Sequence, residues 1–192
     1  YKPTKKWHDN YQDLKEDTLY HKITARMCLN HTSGFPNWRW DESDQKLRVN
    51  AIPGKRYSYS GEGLVYLQVI LEHLLNKSLE QMMRENIFLP LKMNHSSYTW
   101  QPEFDMDYCL GHNTAGALYE KDKDNEARAA STLETTLDDY TLFTEAIFKN
   151  KLLKASTTTV MFSQQIKIKS IAQFGPMRLR DSNANDAIDL GY

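Results

Sequence analysis

The stretch that most constrains this chain is Pro53-Gly54-Lys55-Arg56-Tyr57-Ser58-Tyr59-Ser60-Gly61-Glu62-Gly63. A Pro-Gly turn leads into a short aromatic, β-prone run, which breaks at Gly61-x-Gly63. Leu64, Val65, Leu67, Ile70, Leu71, Leu74 and Leu75 follow at helical spacing, with Val69 filling much of the remaining surface. That pattern predicts a largely buried helix from about Glu62 to Leu75. Small residues at Ser60, Gly61 and Gly63 allow a backbone or a ligand to come close to the helix N-terminus. Tyr59 therefore sits where a tight loop meets a buried helix, an arrangement that presents one side chain rigidly to a cleft. An ordinary hairpin-to-helix connection with a packing tyrosine shows the same local pattern.

Composition narrows the partners. The 192 residues fit one domain or one large piece of a bigger one, 40% hydrophobic and 26% charged. A formal net charge of -1 gives no polycation signature for nucleic acid or an anionic membrane. No apolar run approaches the length that spans a bilayer. The opening Tyr1-Lys2-Pro3-Thr4-Lys5-Lys6 does not continue into an apolar signal segment. Cys28 and Cys109 are far apart and form no Cys-x-x-Cys pair, so no metal knuckle or disulfide scaffold is expected.

Along the chain, residues 1–22 read as an extended, loop-rich lead-in anchored by Trp7, Tyr11, Leu14, Leu19 and Tyr20. Thr24 caps a short helix through Asn30, with Ile23, Met27 and Leu29 as its buried side. Gly34 and Pro36 then mark a turn, and the charged residues 39–52 read as a surface loop. Beyond the long helix, Ser78 and Gln81 form a capping box for a helix to about Ile87, followed by an apolar loop, Phe88 to Met93, closed by Pro90. Short strands are expected at Ser96 to Trp100, Tyr108 to His112 and Ala117 to Tyr119. Thr136 with Asp139 caps a third helix whose stripe is Leu137, Tyr140, Thr144, Ile147 and Phe148. Ser156 caps a fourth carrying Val160 and Met161, and the tail from Ile166 is loop-like.

Most chemical motifs are excluded. The six histidines are isolated and none forms His-Glu-x-x-His, so no metal site is expected. The acidic alternation Asp122 to Glu126 lacks the glycine and closing glutamate of a calcium loop. No glycine-rich phosphate loop is present, and no cofactor is expected. Ser43-Asp44-Gln45-Lys46 matches Ser-x-x-Lys in spacing only. Its flanks, Asp41, Glu42, Asp44 and Arg48, give no apolar stripe with which to desolvate and activate a lysine. It reads as a chance surface match.

Four blocks in register supply what single motifs do not. Ile23 to Pro36, with His31-Thr32-Ser33-Gly34 at its centre, Pro53 to Gly61, Ile87 to Tyr98, and Ala129 to Tyr140 resemble successive blocks of the class C β-lactamase-like serine hydrolases. That family includes β-lactamases, D-alanyl-D-alanine carboxypeptidases and esterases. Gly191-Tyr192 resembles the opening of a further family strand. The resemblance runs from about residue 20 to the end, and it implies acyl-enzyme hydrolysis of a β-lactam, a D-alanyl peptide or an ester. In the family a serine of Ser-x-x-Lys attacks the carbonyl, the lysine and the tyrosine of Tyr-x-Asn manage its proton, and a Lys or His-x-Gly strand completes the cleft.

Only the tyrosine carries over, onto Tyr59. A free phenol titrates near pH ~10 and needs neighbouring cations to act as a base near neutrality. Gly61 stands where the family has its Asn, which removes a substrate-binding amide and leaves an esterase-like role open. Ser33, Gly34, Trp38, Ser60 and Gly61 are the expected substrate-cleft residues. The family's Ser-x-x-Lys lies several dozen residues before His31-Thr32-Ser33-Gly34, and its last strand motif follows the Gly191-Tyr192 block. The expectation is thus the central portion of the family domain, residues 1–192 forming one partial domain. It is mainly α with a few short strands, the helical region of an α+β β-lactamase/transpeptidase-like fold without most of its sheet-forming termini.

Three readings follow. The chain is part of a serine hydrolase acting on a small-molecule or peptide substrate, or a non-catalytic binding or scaffold domain of the same fold, or a fragment with no function of its own. An apolar face normally covered by the sheet would favour self-association, and the family implies a periplasmic or cell-envelope location.

Overall fold

A computed structural model describes residues 11–123, 125–170, 172–173, 180–181 and 189–191. Trp7, the opening Tyr1 to Lys6, Asp124 and Tyr192 lie outside the described residues. The described chain is mainly helical, with a few short strand pairings.

Helix α1 (Ala25–Leu29) is capped by Thr24, whose Oγ1 accepts from the Met27 N–H. It packs against α2 (Gly61–Leu75), the longest element. A run of short turns follows: α3 (Leu79–Met83), a π-helical turn (Arg84–Phe88) and α4 (Leu89–Leu91). The Phe88 to Met93 segment, expected as a loop, is thus largely helical. The helix widens just before Pro90, a residue that cannot donate to the α-helical ladder and whose ring crowds the preceding turn. Lys92, at φ 61°, then ends the run.

Helix α5 (Leu137–Phe148) is capped by Thr136, and α6 (Ala155–Met161) starts two residues earlier than expected, with Lys154 rather than Ser156 at its cap. Strands β1 (Gln164–Lys167) and β2 (Asp189–Gly191) pair antiparallel, so part of the tail expected as loop is strand. Of the other expected strands, residues 96–100 supply one bridge, Ser97 with Glu134, and the Gly111 to Tyr119 hairpin a second, His112 with Leu118. Both have ladder bonds over too few residues to extend further.

The core forms where sequence periodicity is weakest. Leu14, Phe35, Leu47 and Val49 are buried together, with Tyr11, Leu19, Tyr20, Ile23 and Tyr66 packed around them. The charged stretch 39–52 is therefore not a simple surface loop. Leu47 is completely buried, and its N–H donates to Asp13 Oδ2 at 3.2 Å, while the Val49 N–H donates to Asp17 Oδ2 at 3.1 Å. Two carboxylates of the lead-in thus pin the segment with Leu47 and Val49 inside and Asp41, Asp44, Lys46 and Arg48 outside.

The expected helix stripes are only half buried. On α2 the inward residues are Glu62, Val65, Gln68 and Val69, while Leu74 is 70% and Leu75 55% exposed. On α5 Asp139 and Ala146 face in, and Leu137 and Phe148 face out. On α1 the buried residue is Cys28, not Leu29. Polar side chains occupy inward positions because they carry backbone connections. Gln68 joins α2 to the chain at residues 127–129, donating to Ala127 O and accepting from the Ala129 N–H, both at 2.8 Å. Asp139 accepts from the His95 N–H at 2.7 Å and from Ser96 Oγ at 2.8 Å.

Candidate active site

Loop 57–60 carries the expected tyrosine to the first turn of α2. Ser60 is the cap of that helix: its Oγ accepts from the Gly63 N–H at 2.8 Å and donates to Pro36 O at 2.7 Å. The neighbouring loop, Pro36 to Arg39, is sewn to the same helix end. The Gly61 N–H donates to Asn37 Oδ1 at 3.2 Å, and the Glu62 N–H to Asn37 O at 2.8 Å. Arg39 completes the seam, with Nε 2.8 Å from Glu62 Oε1 and Nη2 3.0 Å from Glu62 Oε2. Both side chains are almost fully enclosed. Charge-assisted pairing of this two-pronged kind fixes orientation as well as separation.

This seam presses Trp38 against Gly61. A Cβ at residue 61 would lie 2.4 Å from Trp38 Cζ2, so only glycine fits beside the indole. Trp38 also stacks on the half-exposed Trp40, ring centroids 4.6 Å apart and planes 12° from parallel. Where the family pattern places a side-chain amide, this chain has a flat aromatic wall.

Tyr59 is half-buried in irregular backbone two residues before α2. Its ring stacks on His31, centroids 4.4 Å apart and planes 30° from parallel. The Ser60 N–H donates to His31 Nδ1 at 3.2 Å. Burial pushes the imidazole below its ordinary pKa of 6.5. An Nδ1 that accepts leaves the ring proton of the neutral imidazole on Nε2.

The remaining expected cleft residues back this surface rather than line it. Ser33 is fully buried, its Oγ accepting from the Phe35 N–H at 3.3 Å and lying beside Gly63. Gly34, at φ 86°, runs so close to Ala51 O that a Cβ would sit 2.3 Å from it. Ser60 is fully buried too. The structure thus groups Tyr59, Trp38, Ser60 and Gly61 around one helix end, with Ser33 and Gly34 behind. Sequence reasoning missed Glu62, Arg39 and His31 as organisers of this end. For Glu62 and Arg39 a signal was present: a charged residue inside an apolar helix start and a cation after an aromatic are partners when buried.

Ser43 and Lys46 lie apart from this group, both exposed, in a turn where Gln45 adopts φ 55°. They share no helical face. Among the described residues no three His, Cys, Asp or Glu side chains converge as a metal site, and no helix is long and apolar enough to cross a membrane.

Comparison with known proteins bears on the family and the fold. The chain is 25% identical over 205 residues to penicillin-binding protein 4* of Bacillus subtilis, covering 90% of this chain and 43% of that protein. Among solved structures, D-amino acid amidase from Ochrobactrum anthropi superposes with a TM-score of 0.65 at 20% identity, over 79% of this chain and 51% of the amidase. Simvastatin synthase from Aspergillus terreus gives a TM-score of 0.64 at 22% identity, over 75% of this chain and 41% of the synthase. The chain therefore spans about half or less of the length of the proteins it matches. The helical architecture is that of the β-lactamase/transpeptidase-like fold. The beta-lactamase family model matches residues 9–170, more than four-fifths of the sequence, and the chain belongs to the beta-lactamase family.

Proposed function

We propose that this chain is the central, helical portion of a serine hydrolase that works through an acyl-enzyme, residues 1–192 forming one partial domain. The substrate is a small carbonyl compound: an ester, a D-alanyl peptide or a β-lactam. The observation that carries this reading is the mounting of Tyr59. Its ring is half-buried two residues before α2 and stacks on an imidazole whose Nδ1 accepts from the Ser60 N–H and whose pKa burial lowers.

In the proposed reaction a serine hydroxyl from a Ser-x-x-Lys motif elsewhere in the full-length protein attacks the carbonyl. The lysine of that motif supplies the cation that holds the Tyr59 phenol as phenolate, and the phenolate takes the hydroxyl proton and returns it to the departing alcohol or amine as the acyl–serine ester forms. Water then attacks that ester and frees the serine. Trp38 and Gly61 form one wall of the cleft, and Ser33, Gly34 and Ser60 hold the loops behind it.

The indole wall favours an ester or a flat apolar acyl group over a peptide that needs the missing amide. It equally supports a second reading, a binding or scaffold domain that kept the fold and lost the chemistry. We further propose self-association through the exposed apolar residues of α2 and α5, and a periplasmic or cell-envelope location, in keeping with the penicillin-binding relative.

A fluorescent penicillin and a fluorophosphonate, applied to the full-length protein, separate the readings. Covalent labelling of one serine by either probe is expected from a hydrolase. A folded full-length protein that neither reagent labels is a binding domain.

A further inference from the structure

Left-handed backbone is uncommon outside glycine, and this chain places such a residue directly against Tyr59. Helix α1 closes with the Thr32 N–H donating to Met27 O at 2.8 Å and the His31 N–H directed at Cys28 O at 3.4 Å. The residue at the turn of such a helix end is usually glycine, because a Cβ there crowds the neighbouring carbonyl. Here it is His31, at φ 55°. A side chain kept at a strained position points to a role for the side chain itself.

The contacts of His31 converge on one short segment. Its Nδ1 accepts from the Ser60 N–H at 3.2 Å, its backbone carbonyl accepts from the Ser58 N–H at 2.8 Å, and its ring face lies on Tyr59. The residues before and after the tyrosine are thus both tied to His31, and the tyrosine between them rests on its ring. Tyr57 meets the same imidazole edge-on, ring centroids 5.8 Å apart.

We propose that His31 is a positioning residue for Tyr59: its imidazole is the flat support that sets the direction of the phenol hydroxyl. This rests on the reading of Tyr59 as the proton-transfer group. A tyrosine side chain has two rotatable bonds, and its oxygen lies far from the backbone, so a small tilt of the ring moves the hydroxyl a long way. Clamping the backbone on both sides fixes the first bond's frame, and a ring beneath fixes the second. A reacting group displaced by about 1 Å loses on the order of 100-fold in rate.

The test uses the full-length protein, with kcat and KM for a p-nitrophenyl ester measured for wild type, Tyr59→Phe, His31→Gly and His31→Asn. Glycine suits the left-handed position and removes the ring. Asparagine also tolerates that backbone, and its Oδ1 stands where Nδ1 stood, so the bond from the Ser60 N–H is kept while the ring is lost. Both His31 variants are expected to lower kcat by about 10- to 100-fold with KM nearly unchanged. Their folding is checked by melting temperature, and if one variant does not fold the other decides.

Wild-type kcat in the folded His31 variants, with Tyr59→Phe impaired, overturns the positioning role and leaves the tyrosine in place. So does an asparagine variant that retains kcat while the glycine variant loses it, because the hydrogen bond and not the ring would then be responsible. Wild-type kcat in Tyr59→Phe removes the reading on which the proposal rests.

Discussion

Arg39 and Glu62 meet as a two-pronged ion pair, at 2.8 and 3.0 Å, almost wholly shielded from water at the start of helix α2. The pair joins the loop that carries Trp38 to the helix that follows Tyr59, so both walls of the candidate cleft depend on it. Removing one partner leaves the other charge buried without its counterpart. Glu62→Ala is therefore expected to lower unfolding stability by about 3–5 kcal/mol, measured by urea denaturation. A double replacement by apolar residues of similar volume, Arg39→Met with Glu62→Leu, should recover most of that loss.

Gly61→Asn would restore the family's residue without restoring its environment. Its Cβ would meet the Trp38 indole at 2.4 Å, so the ring must swing out or the helix end must shift. Overpacking of this kind is expected to cost about 1–3 kcal/mol and to change tryptophan fluorescence. Adding Trp38→Ala should relieve it. A single Gly61→Asn variant of wild-type stability and unchanged emission would show that the indole does not fill this space.

Of the four helix caps read from the sequence, Thr24, Ser78 and Thr136 are caps in the structure, each accepting from the N–H three residues on, while Ser156 lies inside its helix. Capping is a local relationship, so spacing alone reveals it. Segment 39–52 was misread for the opposite reason: Leu47 and Val49 are buried by Leu14 and Phe35, residues distant in sequence, and no local period announces that. The helix stripes failed more instructively. Apolar spacing shows which face of α2 or α5 could be covered, and Leu74, Leu75, Leu137 and Phe148 show that the described residues do not cover it. The position of Tyr59 in a loop just before α2 was legible in the sequence. Its support by His31 was not, because a left-handed histidine looks like any other in a sequence.

Stability should fall in mild acid because of His31. Unfolded, the imidazole protonates near 6.5; folded, burial holds it lower, so between the two values the unfolded chain binds more protons. The contribution is complete above pH 6.5 and is lost as pH falls through the folded value. Protonation would also end the acceptance at Nδ1 from the Ser60 N–H, where the rings of Tyr57 and Tyr59 are the titratable side chains packed on the imidazole. Urea midpoints measured from pH 8 to pH 5 should decline, and more shallowly in His31→Asn. Parallel curves for the two proteins would assign the decline to other groups.

The uncovered leucines and aromatics make a prediction about the 192-residue chain by itself. Leu137 is 80% exposed, and Phe148, stacked on Phe162, is 70% exposed. Exposed apolar side chains of this size favour association. Light scattering after size exclusion should show a mass that rises with concentration, and an apolar dye should fluoresce on binding. A dye-negative monomer with a sharp melt would show that this face needs no cover.

Acylation of the full-length protein by an ester, compared between wild type and Tyr59→Phe, tests the central claim most directly. The substitution keeps the ring on His31 and removes only the hydroxyl, so stability should change by no more than about 1 kcal/mol. Acylation should slow by roughly 100- to 10,000-fold, with substrate binding far less affected. A Tyr59→Phe protein that acylates at the wild-type rate would contradict the account, and Tyr59 would then be a packing residue at a helix start.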